Sequence, residues 1–319
     1  MGLFPLPPPP VRRRAGRSRF LLRPRRPLRI ATWNVNSLRA RLDKVWWWLE
    51  RAQPDVLLMQ ETKLADADAP YEGFERQGYE LAHHGEGRWN GVAIASRCGI
   101  SDIVKNFGAP LEPAKTADVG DDEPLAEARM VSAVCGGIRF VSLYAPNGRK
   151  VDSLFYRAKL AWFERLLGWL GETRDVGEAL VLGGDFNVAP EDADVWDAQA
   201  CHGGTHVSGP ERQAFAALLR WGLIDAYRAR RSESDRYTWW DYRAGHFHKN
   251  FGMRIDHLLV TRQLAERIQW AEIDREARKG KPIPSDHAPL LVDIDAPGCP
   301  LDGGWSGADA RIAARRKSG

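Results

Sequence analysis

The sequence predicts a large α/β domain, and the following observations support that prediction. Apolar runs of strand length alternate with longer helical patterns between residues 28 and 296. The chain has 319 residues, 44% of them apolar, so it is long enough to bury a sizeable core. No apolar run approaches the roughly 18 residues of a helical membrane span. The four cysteines form no C-x-x-C pair, which argues against a zinc ribbon or a disulfide framework and favours a reducing cytosol.

The first three elements are predicted to form a β-α-β unit. LRIATWNV, residues 28–35, has the short apolar pattern of a buried strand. LRARLDKVWWWLERA, residues 38–52, has apolar residues at helical spacing, so its three consecutive tryptophans are expected to pack against the core. DVLLMQE, residues 55–61, is a second strand. Two strands joined by one helix are typical of a parallel pair.

The rest of the domain continues the alternation. Two long amphipathic helices are predicted near residues 153–171 and 211–221. Further strands are predicted at residues 91–96, 130–135, 138–145, 179–186, 255–261 and 289–294. Polar clusters follow most of these strands. Because strand ends in α/β proteins converge on one rim, a functional site is expected there.

The two ends of the chain differ from the domain in composition. Residues 1–27 form a Pro- and Arg-rich segment that cannot build a core, and residues 298–319 are expected to be a flexible tail. Residues 1–29 carry nine arginines and no acid, so the remaining chain has 37 Lys and Arg against 42 Asp and Glu. The arginine-rich segment is open to three interpretations: a disordered arm that binds nucleic acid, an organelle transit peptide, or a mis-assigned start.

The stretch ALVLGGDFNVAP, residues 179–190, combines a strand with candidate site residues. Side chains alternate along an extended chain, so Asp185 and Asn187 are expected on one face and Phe186 on the other. Gly183 and Gly184 would let a backbone or a ligand approach closely. An Asx-turn that merely ends the strand is the alternative interpretation.

Other strand ends carry residues of the same chemical types. Each could be a cap, a turn or a structural histidine when taken alone. Together they are hard to explain as capping and predict one polar site. The residues are Asn34, Asn36, Glu61, Tyr144, Asn147, Asp256, Asp286 and His287.

These segments resemble the signature blocks of the exonuclease III-type abasic-site endonucleases, which belong with DNase I to the endonuclease/exonuclease/phosphatase superfamily. The resemblance covers residues 28–296, and the blocks follow the order of the family. It implies a DNase I-like four-layer sandwich of two mixed β-sheets flanked by helices, with one catalytic domain at residues 28–297. The blocks are WNVNSLRAR, QETK, NGVAIAS, YAPNG, GDFNVAPED, WWDYR, RIDH and SDHAP.

The resemblance also implies hydrolysis of a DNA phosphodiester with Mg²⁺ or Mn²⁺. Glu61 corresponds to the main metal ligand, supported by Asn34 or Asn36, and Asp286 to a further ligand, direct or through water. Carboxylate and amide oxygens are the donors that such hard cations prefer. Whether one ion or two act stays open.

The remaining catalytic roles follow from the same resemblance. Asp185 corresponds to the residue that orients or deprotonates the attacking water, and Asn187 would hold the phosphate or the nucleophile. His287 would bind the phosphate, with Asp256 fixing its tautomer and favouring the imidazolium. An alternative makes His287 the base; Asp185 is favoured because a histidine tied to a carboxylate tends to stay protonated. Tyr144 would donate its hydroxyl to the phosphate or the leaving group.

Substrate contacts are predicted for residues around these blocks. Trp239 matches the family's sugar-packing aromatic better than Trp240 does. Both tryptophans could equally be core residues. The other candidates for contact with the nucleic acid are Asn147, Asn90 and Arg129, with Arg88 and Lys159 as further basic candidates.

The expected function is that of a DNA-repair hydrolase in base excision repair, with abasic-site incision, 3′-to-5′ exonuclease and 3′-end cleaning activities. Its expected partner is double-stranded DNA with abasic sites or 3′ ends, and it is expected to be a cytoplasmic monomer that does not bind membranes; organelle import stays open. One alternative keeps the fold and the metal but changes the substrate to RNA, a phospholipid or an inositol phosphate. The other is a catalytically silent nucleic-acid-binding regulator, which the complete acidic set argues against.

Overall fold

The computed structural model describes residues 27–108, 127–295 and 300–318. Its strands are β1 Leu28–Asn34, β2 Val56–Gln60, β3 Glu80–His84, β4 Val92–Ser96, β5 Ser101–Lys105, β6 Met130–Cys135, β7 Ile138–Tyr144, β8 Leu180–Asp185, β9 Leu223–Asp225, β10 Asp256–Thr261, β11 Ile268–Ile273 and β12 Leu290–Ile294. Its α-helices are α1 Leu38–Ala52, α2 Tyr71–Arg76, α3 Leu154–Thr173, α4 Ala198–Cys201, α5 Gly209–Trp221, α6 His246–Lys249, α7 Arg262–Ala265 and α8 Ser306–Ser318. None of the helices in the described part of the chain is both long and apolar enough to span a membrane.

The strands form two six-stranded sheets, in the orders β11-β12-β1-β2-β4-β3 and β5-β6-β7-β8-β10-β9. Each sheet has one parallel pair at its centre, β1 with β2 and β7 with β8, and its other pairs are antiparallel. Both sheets are therefore mixed, as predicted. The parallel pairs end in register, with Asn34 opposite Gln60 and Tyr144 opposite Asp185.

Three apolar clusters separate four layers. The central cluster joins the facing sides of the two sheets, for example Ile30 and Leu58 with Phe140 and Val181. A second cluster packs α3 and α5 on the outer face of one sheet. A third packs α1 and α2 on the outer face of the other. The predicted sandwich of two sheets flanked by helices is confirmed.

The two long helices that flank the sheets begin at serine caps. Ser37 accepts a hydrogen bond from the amide of Ala40 at the start of α1, and Ser153 caps α3 by accepting from Tyr156. Such caps satisfy amides that have no partner within the helix. The predicted packing of the tryptophan run is found at Trp48, which is fully buried.

The two glycines of β8 serve the packing of the sheets. A Cβ at Gly183 would lie 2.4 Å from Cδ1 of Leu58 and 2.6 Å from Cδ2 of Leu258. A Cβ at Gly184 would lie 1.9 Å from the carbonyl oxygen of Leu143. The glycines thus let a facing side chain and a neighbouring backbone approach. The expectation that they make room for a ligand is wrong.

Lys159 is a second correction. It is fully buried in α3 and forms an ion pair with Glu211 of α5. Its amine also donates to the carbonyl oxygen of Asn187 over 2.7 Å. A buried, paired ammonium of this kind does not contact phosphates as the sequence suggested; it supports the chain beneath the strand end.

The C-terminal segment differs from the predicted frayed tail. Residues 306–318 form α8, and Trp305 at its start packs against Trp240 with ring centroids 6.1 Å apart. The indole nitrogen of Trp305 donates to the carbonyl oxygen of Ile273 over 2.8 Å. A large aromatic anchor therefore fixes this end. The arginine-rich segment at residues 1–26 lies outside the described residues.

Candidate active site

The central parallel pairs bring their C-terminal ends together at one edge of the sandwich. β1 ends in Asn34, and Glu61 directly follows β2; β7 and β8 end in Tyr144 and Asp185. Asn34 joins the two halves, because its Nδ2 donates to Oε1 of Glu61 over 2.9 Å and to Oδ2 of Asp185 over 3.0 Å. The two sheets thus place their polar ends in one site, as the alternation predicted.

Three site residues adopt left-handed backbone conformations directly after their strands. The φ angles are 44° at Asn36, 52° at Glu61 and 52° at Asn187. Such conformations are unfavourable for residues other than glycine, although asparagine tolerates them best. The turn at Asn187 ends the extended chain, so strict alternation stops at Phe186. Phe186 does point away from the site, packing its ring 5.5 Å from that of Phe215.

Glu61, Asp185 and His287 form the centre of the cluster. One candidate ligand atom from each of them lies within 4.8 Å of the others. Nε2 of His287 is 3.9 Å from Oδ2 of Asp185. A carboxylate and an imidazole at this distance attract each other when the imidazole is protonated.

His287 is held by a buried carboxylate. Its Nδ1 donates to Oδ2 of Asp256 over 2.8 Å, and Asp256 is fully buried. The other oxygen of Asp256 has no hydrogen-bond partner among the described residues. Burial opposes a charge on His287, but Asp256 and then Asp185 outweigh it and raise the pKa of His287 to about 10.

The pKa of Asp185 is raised, which favours the neutral form of its carboxyl group. Burial, together with the charges of Asp256 and Glu61, raises the pKa of Asp185 to about 7. The charge of His287 and the hydrogen bond from Asn34 act in the opposite direction. A carboxylate with a pKa near neutrality is suited to accept a proton from water.

Asp286 lies at the edge of the cluster with both oxygens occupied. Oδ1 accepts from Nδ2 of Asn36 over 2.9 Å, and Oδ2 accepts from the indole of Trp239 over 3.1 Å. Burial alone would raise its pKa. The charge of His287 and these two hydrogen bonds hold the pKa of Asp286 below its usual range. Asp286 therefore remains a carboxylate.

Asn187 and Tyr144 face the cleft from the second sheet. Oδ1 of Asn187 accepts from Nδ2 of Asn147 over 3.2 Å, which places these two predicted residues side by side. The hydroxyl of Tyr144 bonds to Glu61. Burial, together with the charge of Glu61, raises the pKa of Tyr144 well above its usual value, so the hydroxyl stays protonated and can donate.

A cleft of ≈ 460 Å³ opens beside Glu61 and Tyr144. Three of the predicted substrate-binding residues line it. The fourth, Trp239, donates its indole N–H to Asp286 nearby. Trp240 is fully buried and donates to Asn250, which agrees with the preference for Trp239. The predicted residues that line the cleft are Asn90, Arg129 and Asn147.

Sequence reasoning missed several cleft residues, of which Lys63 is the most informative. Its amine lies 2.8 Å from Oε2 of Glu61 and 2.7 Å from Oδ1 of Asn36. The QETK block contained Lys63, so its proximity to Glu61 was available as a signal. The YAPNG block likewise contained Pro146 and Gly148. The other cleft residues have no signal beyond their neighbours in sequence: Trp89, Glu127, Arg149 and Phe155.

The donor set fits a hard divalent cation. Glu61 and Asp185 offer carboxylate oxygens at one point of the site beside His287, and Lys63 already places a positive charge between Glu61 and Asn36. The two asparagines have other partners here. Asn34 donates to carboxylates through Nδ2, while its Oδ1 accepts from the amide of Asn36. Their roles as ligands remain predictions.

Comparison with known proteins gives one family. Residues 31–287 match the endonuclease/exonuclease/phosphatase family. An exodeoxyribonuclease III of Haemophilus influenzae is 30% identical over 275 residues, which cover 84% of this chain and 100% of that protein.

Solved structures agree with this match. An AP endonuclease from Archaeoglobus fulgidus superposes with a TM-score of 0.77 at 37% identity, covering 84% of this chain and 100% of the other. The 3′ phosphatase NExo from Neisseria, solved with a product DNA hairpin, gives a TM-score of 0.76 at 36% identity over the same shares.

Proposed function

Since this chain belongs to the endonuclease/exonuclease/phosphatase family, we propose that it is a metal-dependent hydrolase of DNA phosphodiester bonds that acts at abasic sites and at 3′ ends. Its relatives include an exodeoxyribonuclease III and an AP endonuclease, and the Neisseria phosphatase carries product DNA. The reaction class rests on the family. The substrate rests on these relatives and on the cleft.

The observation that carries the proposal is the pairing of Asp185 with His287 beside Glu61. Their pKa values are displaced so that Asp185 can accept a proton near neutrality while His287 stays an imidazolium. Two groups with opposite protonation tasks, 3.9 Å apart, can support hydrolysis of a phosphodiester by water, one as a proton acceptor and the other as a donor to the phosphate.

Each residue of the pair has a defined task. Asp185 orients the attacking water and takes its proton. His287, held by Asp256, donates from Nε2 to a non-bridging oxygen of the scissile phosphate. Asn187 positions the phosphate or the water, and the hydroxyl of Tyr144 donates to the phosphate or the leaving oxygen. These donors are fixed before substrate binds, which makes them effective against developing negative charge.

Glu61 and Asp286, with Asn34 or Asn36, would hold Mg²⁺ or Mn²⁺. A bound ion of this kind offsets charge on the phosphate oxygens and on the leaving oxygen. Because Lys63 now contacts Glu61, we expect its ammonium to move when the ion binds.

Substrate contacts extend from this centre into the cleft. Asn90, Arg129 and Asn147 line it and offer donors to phosphate oxygens. Trp239 is partly exposed and presents a ring edge beside Asp286. It would pack against the sugar of an abasic site or a neighbouring base.

The test uses three labelled substrates: a duplex with one abasic-site analogue, an intact duplex with a recessed 3′ end, and single-stranded RNA. Each is incubated with Mg²⁺, with Mn²⁺ and with EDTA. The proteins are the wild type, Asp185→Asn, and Asp192→Asn as a control. Asp192 is an exposed aspartate paired with Arg212 outside the site.

The proposal predicts metal-dependent nicking of the abasic duplex and digestion of the recessed end, retained in Asp192→Asn and reduced about 1,000-fold or more in Asp185→Asn. If only the RNA is cleaved, DNA is not the substrate, but the proposed phosphodiester hydrolysis stands. Binding of DNA without any cleavage by the wild type would instead support a regulator.

A further inference from the structure

A second concave site lies outside the catalytic cleft. It has a volume of ≈ 420 Å³ and is formed by residues 242–248 and 275–280. We call it the arginine pocket, because Arg275 and Arg278 line it. It shares no lining residue with the cleft beside Glu61.

Arg278 lines this pocket without an ion pair to any described carboxylate, although the charge of Asp286 acts on it from a distance. Only 8% of the residue is exposed, its Nε has no hydrogen-bond partner, and no described carboxylate forms an ion pair with it. Its guanidinium lies 4.7 Å from the ring centroid of Tyr242 and 5.0 Å from that of Phe247. Ring faces orient a guanidinium but leave its N–H donors free for a ligand.

The surroundings of the pocket add positive charge. Arg275 is 1% exposed and lies 3.8 Å from the ring centroid of Phe247. The amine of buried Lys44 donates to the carbonyl oxygen of Lys279 over 2.9 Å. Two carboxylates lie nearby: Glu276 pairs with Lys279 over 2.7 Å, and the charge of Asp286 favours the charged form of Arg278. Burial lowers the pKa of both Lys44 and Arg278, as expected for cations removed from water.

Hydrogen bonds connect the pocket to the rim of the active site. The hydroxyl of Tyr242 donates to the carbonyl oxygen of Pro284 over 3.0 Å, two residues before Asp286. Nη2 of Arg41 donates to the same hydroxyl over 3.2 Å, and Nε of Arg41 also has no partner among the described residues. The segment that begins with Trp239 therefore has the catalytic site on one side and the arginine pocket on the other.

We propose that the arginine pocket binds a phosphate group of the nucleic-acid substrate, distinct from the phosphate that is cut, through the guanidinium of Arg278. This inference rests on the proposed function. A buried guanidinium without a contacting counter-ion is costly, and a phosphate oxygen that accepts from it reduces that cost. The fork of N–H donors matches a phosphate in a way that an ammonium does not. The pocket thus selects for polynucleotide over a short phosphodiester.

The test measures binding without catalysis. The anisotropy of a fluorescein-labelled duplex with a recessed 3′ end is recorded in EDTA at several salt concentrations, for the wild type, Arg278→Gln, Arg278→Lys and Arg220→Gln. Arg220 is an exposed arginine at the end of α5 and serves as the matched control. Thermal unfolding of each variant establishes that it is folded, and inorganic phosphate is titrated as a competing small ligand.

We expect Arg278→Gln to raise the Kd for the duplex about tenfold. The slope of log Kd against log salt should fall by about 0.9, the value for one phosphate contact. Arg278→Lys should bind the duplex with the wild-type salt dependence but with lower affinity. The positive charge remains, whereas the paired N–H donors of the guanidinium are lost. Arg220→Gln should stay within about twofold of the wild type.

Three results would overturn the inference. The first is an unchanged Kd in Arg278→Gln, and the second is an equal loss in Arg220→Gln, which would indicate general electrostatics. The third is loss of inorganic phosphate binding in Arg278→Gln with an unchanged duplex Kd, which would assign the pocket to a small phosphate compound. Failure of the proposed function looks different. The same anisotropy titration with labelled single-stranded RNA detects it. If the wild type binds this RNA but not the duplex, and Arg278→Gln weakens RNA binding, the DNA substrate is wrong and the assignment of the pocket stands.

Discussion

The imidazole of His287 donates a hydrogen bond of 2.8 Å to the carboxylate of Asp256, which is fully buried. The carboxylate belongs to β10 in one sheet, whereas His287 precedes β12 in the other. The bond therefore ties the two sheets at the site. It also determines which ring nitrogen of His287 can interact with substrate, because Nδ1 bonds to Asp256 and Nε2 lies toward Asp185.

Asp256→Asn should lower the pKa of His287. Asp256 is the main cause that raises this pKa to about 10, so its removal leaves burial to favour the neutral imidazole. In the wild type the imidazolium persists until the pH approaches about 10; in the variant it is lost at lower pH. The ring titration by NMR measures this directly, and kcat should fall about 100-fold.

Asp274→Asn is the matched control for that substitution. Asp274 is also fully buried, but it accepts from Trp48 and Arg51 away from the site. Its loss should reduce stability and leave the titration of His287 unchanged. An unchanged titration in Asp256→Asn would contradict the role assigned to Asp256.

The carboxyl group of Asp185 should titrate near neutrality when metal is absent. Burial with the charges of Asp256 and Glu61 raises its pKa to about 7, so its carboxyl carbon should change NMR shift around that pH in EDTA. A bound cation favours the carboxylate. Addition of Mg²⁺ should therefore move the midpoint to lower pH. A midpoint that is already near 4 in EDTA, or one that Mg²⁺ does not move, would count against this arrangement.

Interior strands were predictable from the sequence, and edge strands were not. The eight strands that apolar runs predict are the inner members of the two sheets. The four that were missed, β3, β5, β9 and β11, are the four edges. β5, with the sequence SDIVK, is mostly exposed, so it lacks the apolar run that marks a buried strand. A strand was thus predictable when it lies inside a sheet and not when it lies at an edge.

The candidate site shows a similar division. Glu61 and Asp185 stand out because acidic groups end or follow apolar strands, and His287 because it lies just before one. The structure brings the three together. The partner that each residue takes was not predictable without the family resemblance. The contact of Gly183 with Leu58 depends on how the two sheets pack, which no local pattern records.

Gly184→Ala should destabilise the fold by about 3 kcal/mol or more, because its Cβ would lie 1.9 Å from the carbonyl oxygen of Leu143 and backbone would have to move. Gly171→Ala is the opposite control. Gly171 lies in α3 with nothing within 4 Å of the added Cβ, so alanine should stabilise by roughly 0.5–1 kcal/mol. Urea denaturation of both variants measures the difference. Equal stabilities would show that β8 and β7 adapt to the methyl group.

The stability of the fold at low pH should depend on Asp225. Burial alone would raise the pKa of this carboxyl, but Arg254 and His257 lower it well below its usual range. A group whose folded pKa lies below its unfolded value of about 3.9 stabilises the fold above that value and loses this contribution as the pH falls. The wild-type free energy of unfolding should therefore decrease as the pH falls below about 5.

Asp225→Asn should show a shallower decrease over the same range, since one of the titrating carboxyls is gone. At pH 7 it should be less stable by about 2 kcal/mol, because Nη1 of Arg254 loses its 2.7 Å partner while Asp194 still holds the other side of the guanidinium. Asp192→Asn, an exposed and paired aspartate, should follow the wild type throughout. Urea denaturation at pH 7, 5 and 3 compares the three proteins. Parallel curves for wild type and Asp225→Asn would mean that other carboxylates dominate the acid transition.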